Sequence, residues 1–203
     1  MEQQIQQAIL ILKNGGVGVY PTDTLYGLGA DAFNEEAVGR IYRIKQRPSH
    51  QPLSLLLADK SELVRVVDGF PEIARILAEC FWPGGLTLVV PRLPSIPDWV
   101  AVGGDTVAVR VPDHPITLEL IRALGSPLIG TSANFSGLPG CTTADEVRSC
   151  MGDEVDFILD GGICPGGIES TIVDVSGKSP VILREGAVRR NEIDDCLRRK
   201  IED

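Results

Sequence analysis

The sequence predicts an α/β protein whose sheet contains both parallel and antiparallel strand pairs. Helical and extended patterns alternate early in the chain, as they do in α/β sheets. Extended segments then follow one another near the carboxyl end, at 156–159, 170–175 and 180–184, and such succession favours antiparallel pairing. No linker divides the 203 residues, so one domain over 1–203 is expected.

Helices are predicted where apolar side chains recur at three- and four-residue spacing, or where capping residues mark an end. The first covers 2–13 and stops at the pair Gly15-Gly16. The second covers about 35–45, with acidic residues in its first turn and basic residues late, as the helix dipole favours. Further helices are expected after Ser61 as a cap and over 71–80, 115–124, 143–151 and 190–200.

Short apolar runs predict the earlier strands. They lie at 17–20, 52–58, 86–90, 106–111 and 128–130. Between the first two, residues 21–32 are interpreted as a turn-rich loop. Part of that loop, GLGADA at 27–32, matches the pattern of a dinucleotide-binding turn. It neither follows its strand directly nor opens into a helix, so a plain turn is predicted instead.

Composition excludes several classes of protein. The net charge of −9 argues against a general nucleic-acid coat, although a local basic patch is compatible with it. The chain has no apolar run of membrane-spanning length and no signal peptide after Met1, so a cytoplasmic protein without membrane contact is expected. Reduced thiols, without a disulfide or zinc site, are expected for Cys80, Cys141, Cys150, Cys164 and Cys196.

Two basic residues form the first candidate site. Lys45 and Arg47 precede Pro48, which disfavours helical backbone at the residue before it. In an extended chain both side chains would point the same way and clamp a phosphate. The alternative is a helix end whose cations complement the dipole.

Polar residues at strand ends form further candidates. Ser132 and Asn134 would share one side of an extended segment, although the same residue types also favour turns. Thr106 and Arg110 lie on one face of a strand; the arginine forms either a buried ion pair or an anion site, and the anion site is slightly favoured.

The residue types also limit the mechanism. The two histidines, His50 and His114, are interpreted as exposed loop residues, and no metal cage or G-x-S-x-G nucleophile is present. A site of Arg, Lys, Ser, Thr and Asn works by positioning and charge stabilisation. Phosphoryl and nucleotidyl transfer run in that way, with Mg²⁺ carried in by the nucleotide.

Six motifs in this order resemble the YrdC-like family, and within it the bacterial TsaC-type threonylcarbamoyl-AMP synthases. The resemblance extends over nearly the whole chain. The motifs are YPTDTLYGLG at 20–29, KQRP at 45–48, PGGLT at 83–87, AVRVP at 108–112, TSAN at 131–134 and EST at 169–171.

The resemblance implies both a fold and a reaction. The fold is a twisted mixed sheet with flanking helices around a concave, positively charged cavity. The reaction joins L-threonine, bicarbonate and ATP into threonylcarbamoyl-AMP and releases pyrophosphate, and the product serves threonylcarbamoyl-adenosine modification of tRNA. Downstream tRNA-threonylcarbamoylation proteins are the implied partners. The alternative is a paralogue that binds double-stranded RNA or tRNA without making the adenylate.

The resemblance also implies roles for individual residues. The chemistry would fall to Lys45, Arg47, Ser132 and Asn134. The ATP contacts would be Lys45, Arg47, Gln51, Thr106, Asn134, Thr142 and Arg184, and the threonine contacts Thr24, Arg110, Ser132 and Ser170. One departure concerns Leu56, which replaces a histidine of longer members, so the threonine pocket must be completed differently.

Overall fold

Nine strands form one sheet in the computed structural model, which describes residues 1–202. The strands are β1 (Gly18–Tyr20), β2 (Gly27–Gly29), β3 (Ser54–Leu56), β4 (Leu86–Pro91), β5 (Thr106–Arg110), β6 (Leu128–Ser132), β7 (Phe157–Ile158), β8 (Thr171–Asp174) and β9 (Val181–Arg184). Their spatial order is β7-β1-β2-β6-β3-β5-β4-β8-β9. Three neighbouring pairs are parallel, namely β1 with β7, β3 with β5 and β4 with β8, and the others are antiparallel. The predicted mixed sheet is therefore confirmed.

Helices cover both faces of this sheet, and those predicted from periodicity are present. Their bounds are α1 (Glu2–Lys13), α2 (Glu35–Lys45), α3 (Glu72–Phe81), α4 (Asp98–Ala101), α5 (Pro115–Leu124), α6 (Ala144–Met151) and α7 (Arg190–Glu202). The sequence did not predict α4. The short helix expected after Ser61 is a 3₁₀ helix over Lys60–Arg65, and its cap is Asp59, whose carboxylate accepts the Ser61 amide at 2.8 Å.

The hydrophobic core divides into two clusters of buried side chains. The larger contains the inner faces of α2 and α3 and most of the strands. The smaller joins α1 and α5 to β1, β3 and β6 through residues such as Ile5, Leu12 and Leu120. Each such side chain stabilises the fold by about 1.5–3 kcal/mol when it leaves water. The strand ends that carry polar residues are thus held on a rigid support.

Strand β2 contradicts the plain turn predicted for 27–32. Gly27 and Gly29 pair with β1, and Gly27 also pairs with Ser132 of β6. A β-carbon on Gly29 would lie 2.0 Å from the carbonyl oxygen of Ile129, and one on Gly27 would lie 2.6 Å from the Tyr20 ring. The glycines are required by close packing inside the sheet, a non-local reason that their local turn preference conceals.

The expectation of five reduced thiols is wrong for two of them. Cys80 and Cys196 form a disulfide that joins α3 to α7 across 116 residues of sequence. Cys141, Cys150 and Cys164 are free, and the first two sulfurs are 3.3 Å apart. The odd cysteine count and scattered spacing contain no signal for this pairing, because α3 and α7 come together only in the folded chain. Over residues 1–202, no helix has the length and apolar character needed to cross a membrane.

Candidate active site

A cavity of about 610 Å³ opens where several strand ends meet. Residues of β1 to β6 line it together with β8, β9 and the loop that follows α2. Its volume is that of a small-molecule site. Charged groups in its wall are Arg47, Arg110, Arg184 and Glu169. The lining also contains Thr24, Gln51, Ser132 and Ser170, so seven of the residues expected from the resemblance meet in one cavity.

Lys45 is buried behind this cavity and does not line it. It is the last residue of α2, and Gln46 then turns the backbone into the left-handed region at φ 52°. The extended segment predicted to align Lys45 with Arg47 is therefore wrong, because the helix continues to Lys45 itself. Only 2% of Lys45 is exposed, and its Nζ donates to Ser132 O at 2.5 Å, Asn134 O at 2.8 Å and Asn134 Oδ1 at 2.9 Å.

The environment of Lys45 disfavours its charge. Burial, followed by the charge of Arg47, lowers the pKa of Lys45 from 10.5 to about 8. Between these values the unfolded chain binds a proton that the folded chain does not, so this residue contributes a stability that rises with pH.

We expect the unfolding free energy of the wild type, relative to Lys45→Met, to increase as the pH rises from about 8 to about 10.5. Urea unfolding of both proteins across this range measures it, and a difference independent of pH would contradict it.

Ser132 and Asn134 lie together at the end of β6, as predicted, although a turn rather than an extended strand brings them together. The Ser132 hydroxyl donates to Asn134 Oδ1 at 2.6 Å, and the Asn134 amide nitrogen donates to Leu138 O at 2.5 Å. With Lys45 behind them, these groups fix the shape of one cavity wall. Ser132 faces the cavity, whereas Asn134 does not line it.

Arg47 and Gln51 form another part of the wall in the loop between α2 and β3. The Arg47 guanidinium donates to the carbonyl oxygens of Pro52 at 3.0 Å and Gln51 at 3.4 Å. These neutral partners leave its charge without a carboxylate in direct contact. Arg47 is therefore a cation available to an anionic ligand.

Arg110 forms the buried ion pair that was one of its two interpretations, and it also lines the cavity, where the anion site stays a prediction. It forms a buried ion pair with Asp23 at 2.6 Å, with 8% and 17% of the two side chains exposed. Its other recorded bonds run to Gly84 O at 2.8 Å and Thr24 Oγ1 at 3.1 Å. A guanidinium has five N–H groups, so among the described residues two take no part in these bonds, and Arg110 is part of the cavity wall.

The opposite wall contains two functional candidates that the sequence did not single out. Thr87 shares a hydrogen bond of 2.9 Å with Ser170, and both hydroxyls are buried in the lining. Glu169 pairs with Arg184 at 2.6 Å, and Arg184 also donates to Ser170 O at 2.9 Å. Thr87 was in the PGGLT motif and Glu169 in the EST motif, so motif membership was the available signal.

Two residues expected to contact ATP lie away from this cavity. Thr106 is at the far end of β5, opposite Pro91, while Ala108 and Arg110 on the same face do line the cavity. Thr142 lines a second, more open hollow, where its amide and hydroxyl bond to Glu146 at 2.7 and 3.0 Å. The cavity alone therefore does not bring these two residues to a nucleotide.

Leu56 lies in the cavity wall against Gly130. A β-carbon on Gly130 would approach Leu56 Cγ to 2.6 Å, so the two residues pack directly. This part of the pocket is apolar where a histidine would be polar. Within residues 1–202, no group of three His, Cys, Asp or Glu side chains is placed to hold a metal ion.

A mixed sheet with arginine, hydroxyl and amide groups around one cavity of this volume has the features of a small-molecule site. The chain belongs to the Sua5/YciO/YrdC family, whose model, described as "Telomere recombination", matches residues 10–186. The expected family and fold class are confirmed.

Three similar proteins show how far the likeness extends. Threonylcarbamoyl-AMP synthase of Bacillus subtilis is 42% identical, over 97% of this chain and 57% of that protein. The protein in the crystal structure of P. abyssi Sua5 complexed with L-threonine has 40% sequence identity to this chain. The two structures match with a TM-score of 0.94 over 97% of this chain and 58% of that one. E. coli YciO is 33% identical, with a TM-score of 0.81 over 92% and 90% of the two chains. The chain thus spans little more than half the length of the first two relatives.

Proposed function

We propose that the protein is a threonylcarbamoyl-AMP synthase, which converts L-threonine, bicarbonate and ATP into threonylcarbamoyl-AMP and pyrophosphate for tRNA modification. One observation carries the proposal. A single cavity contains a hydroxyl-rich group around Arg110, suited to an amino acid, and the cations Arg47 and Arg184, suited to a nucleotide. The names of the B. subtilis relative and of the threonine-bound P. abyssi structure support this assignment.

Threonine would bind at the Arg110 end of the cavity. Its carboxylate would take the two N–H groups that Arg110 has left, in the bidentate geometry that guanidinium favours. Thr24 and the Ser170–Thr87 hydroxyl pair offer hydrogen bonds to the amino acid, and the Thr87–Ser170 distance is 2.9 Å. Leu56 would contact its apolar part.

ATP would bind at the other end, with Arg47 and Arg184 on its phosphates and Gln51 beside them. The threonine amine would combine with bicarbonate to give the carbamate and water. A carbamate oxygen would then attack the α-phosphate, forming an oxygen–phosphorus bond as the bond to pyrophosphate breaks. Ser132 would lie at the junction, while Lys45 donates to its carbonyl oxygen and Asn134 Oδ1 accepts from its hydroxyl. Mg²⁺ carried by ATP would add positive charge at the phosphates. The protein contributes alignment and charge and forms no covalent intermediate.

Pyrophosphate release tests this function directly. The protein would be incubated with ATP, Mg²⁺, threonine and bicarbonate, and each substrate would be omitted in turn. We expect release that requires both threonine and bicarbonate. Pyrophosphate release that continues without threonine, or without bicarbonate, would refute the proposal. RNA binding that survives moderate salt, without such release, would support the RNA-binding paralogue. A cytoplasmic location and downstream tRNA-modifying partners belong to the same proposal.

Arg47 provides a prediction about ATP alone. We expect Arg47→Ala to weaken ATP binding by at least about tenfold, because it removes a charge that no carboxylate in direct contact neutralises. The fold should be unaffected, since the Arg47 side chain bonds, among the described residues, to two carbonyl groups of its own loop. Arg43→Ala is the matched control, because Arg43 lies nearby in the last turn of α2, is exposed and does not line the cavity. Calorimetric titration measures the affinity of each variant for ATP, and thermal melting measures its stability. Normal ATP binding by Arg47→Ala would remove Arg47 from the site.

A further inference from the structure

Glu169 is an acid in a cavity whose expected ligands are anions. Among the described residues that line the cavity it is the one carboxylate, beside Arg47, Arg110 and Arg184. Its side chain is 42% exposed, so no burial of apolar surface explains its position. A carboxylate there lowers the positive potential that ATP requires. Its contacts indicate what it does instead.

The carboxylate of Glu169 connects two walls of the cavity. One oxygen pairs with Arg184 Nη1 at 2.6 Å, and the other lies 3.2 Å from Ser132 Oγ, whose single proton it shares with the closer Asn134 Oδ1. Ser132 ends β6 and Arg184 ends β9, so these contacts join strands far apart in the sheet. Arg184 is a residue expected at the nucleotide, and Ser132 is expected at the junction between nucleotide and threonine. The carboxylate oxygens thus occupy positions at which phosphate oxygens would find the same donors.

Glu169 also balances the neighbouring cations. Arg184 destabilises the charge of Arg47, and Arg47 destabilises the charge of Lys45. Burial is the main cause that lowers the pKa of Lys45 and of Arg47, and the charge of Glu169 acts against that lowering in both. Glu169 thus partly compensates the charge of these neighbouring cations. A bound triphosphate would supply that compensation itself.

We propose that Glu169 is a positioning residue that competes with a nucleotide polyphosphate for Arg184 and is displaced when the polyphosphate binds. It keeps Arg184 and Ser132 where the phosphates will meet them, and it competes with those phosphates for Arg184. The inference rests on the proposed function, because it takes ATP as the ligand. The residue thus aligns the site and limits its affinity for ATP.

The variant Glu169→Gln separates these two effects. The amide still accepts from Ser132 but no longer neutralises Arg184. We expect it to bind Mg²⁺-free ATP about three- to tenfold more tightly at low salt, with a smaller gain at high salt, as screening of a charge interaction requires. The turnover number should fall while KM for ATP falls with it, because Arg184 is less well aligned. Glu169→Asp keeps the charge and should bind ATP within about twofold of the wild type.

Glu185→Gln is the matched control. Glu185 is the residue after Arg184, it is exposed, and it does not line the cavity, so the variant has the same change in net charge at nearly the same place. Its ATP affinity should not change. Equal tightening in both variants would show a general charge effect and overturn the inference.

Other outcomes are equally decisive. Unchanged or weaker binding of Mg²⁺-free ATP by Glu169→Gln would refute competition. If Glu169→Gln weakened binding of Mg²⁺–ATP alone, Glu169 would be a metal ligand. If it weakened ATP binding and also lowered the melting temperature, Glu169 would have a purely structural role. Failure of the wild type itself to bind ATP would instead refute the proposed function. Calorimetric titration of ATP, with and without Mg²⁺, gives each result separately.

Discussion

Lys45→Met is expected to abolish most activity and to destabilise the protein. A phosphate clamp at the surface could be removed without harm to the fold, but Lys45 is 2% exposed and donates to three oxygens. Its loss leaves the carbonyl groups of Ser132 and Asn134 buried without this donor. Each such group costs about 1–3 kcal/mol, and the relief of a desolvated charge offsets part of that, so a net loss of about 2–4 kcal/mol is expected.

The loss of activity follows from the same contacts. Lys45 holds the turn that presents Ser132 at the proposed junction of nucleotide and threonine, and its charge lies just behind the phosphate site. Removing one such preorganised charge typically costs about 10²–10³ in turnover. Lys13→Met is the matched control, because Lys13 also ends a helix but is exposed. Urea unfolding and the pyrophosphate assay measure both effects. Full stability with lost activity would show a direct phosphate contact and contradict the buried role.

The sequence predicted those parts of the fold that depend on local signals. The periodic apolar positions of α1 and α5 are contained in short segments. Strand β2 and the Cys80–Cys196 disulfide depend on residues far away in the sequence. Their residue types favour a turn and free thiols when considered alone. Tertiary contacts determine the structure at such positions, and no local sequence pattern indicates those contacts.

The sequence indicated which residues lie at the cavity better than it indicated how their side chains are arranged. Motif spacing indicated Arg47, Ser132 and Arg110, and the fold brings all three to one cavity. The orientation of Lys45 could not follow from the sequence, because one left-handed residue, Gln46, turns Arg47 away from it. Glu169 was missed for a chemical reason. A search for residues that attract anions passes over a carboxylate, although Glu169 forms an ion pair with Arg184 at 2.6 Å in the cavity wall.

Arg110→Lys is expected to lose threonine binding and to keep ATP binding. Arg110 uses three N–H groups on Asp23, Thr24 and Gly84, and two remain for the substrate carboxylate. A lysine ammonium has three N–H groups on one atom and no planar fork, so it cannot satisfy these partners and the ligand together. We expect threonine affinity to fall by at least about tenfold and stability by about 1–3 kcal/mol. ATP affinity should stay within about twofold, since Arg47 and Arg184 are unchanged.

Asp23→Asn separates the two roles of Arg110. It removes the partner carboxylate but leaves the guanidinium, so the protein loses stability while the charge facing the substrate persists. Threonine affinity should then be retained or increased, because the guanidinium no longer shares its charge with Asp23. Titration of threonine into both variants, without ATP, measures this. If Arg110→Lys bound threonine as the wild type does, Arg110 would be only the buried partner of Asp23. The carboxylate site would then have to be sought at Ser170 and Arg184, the remaining cationic corner of the cavity.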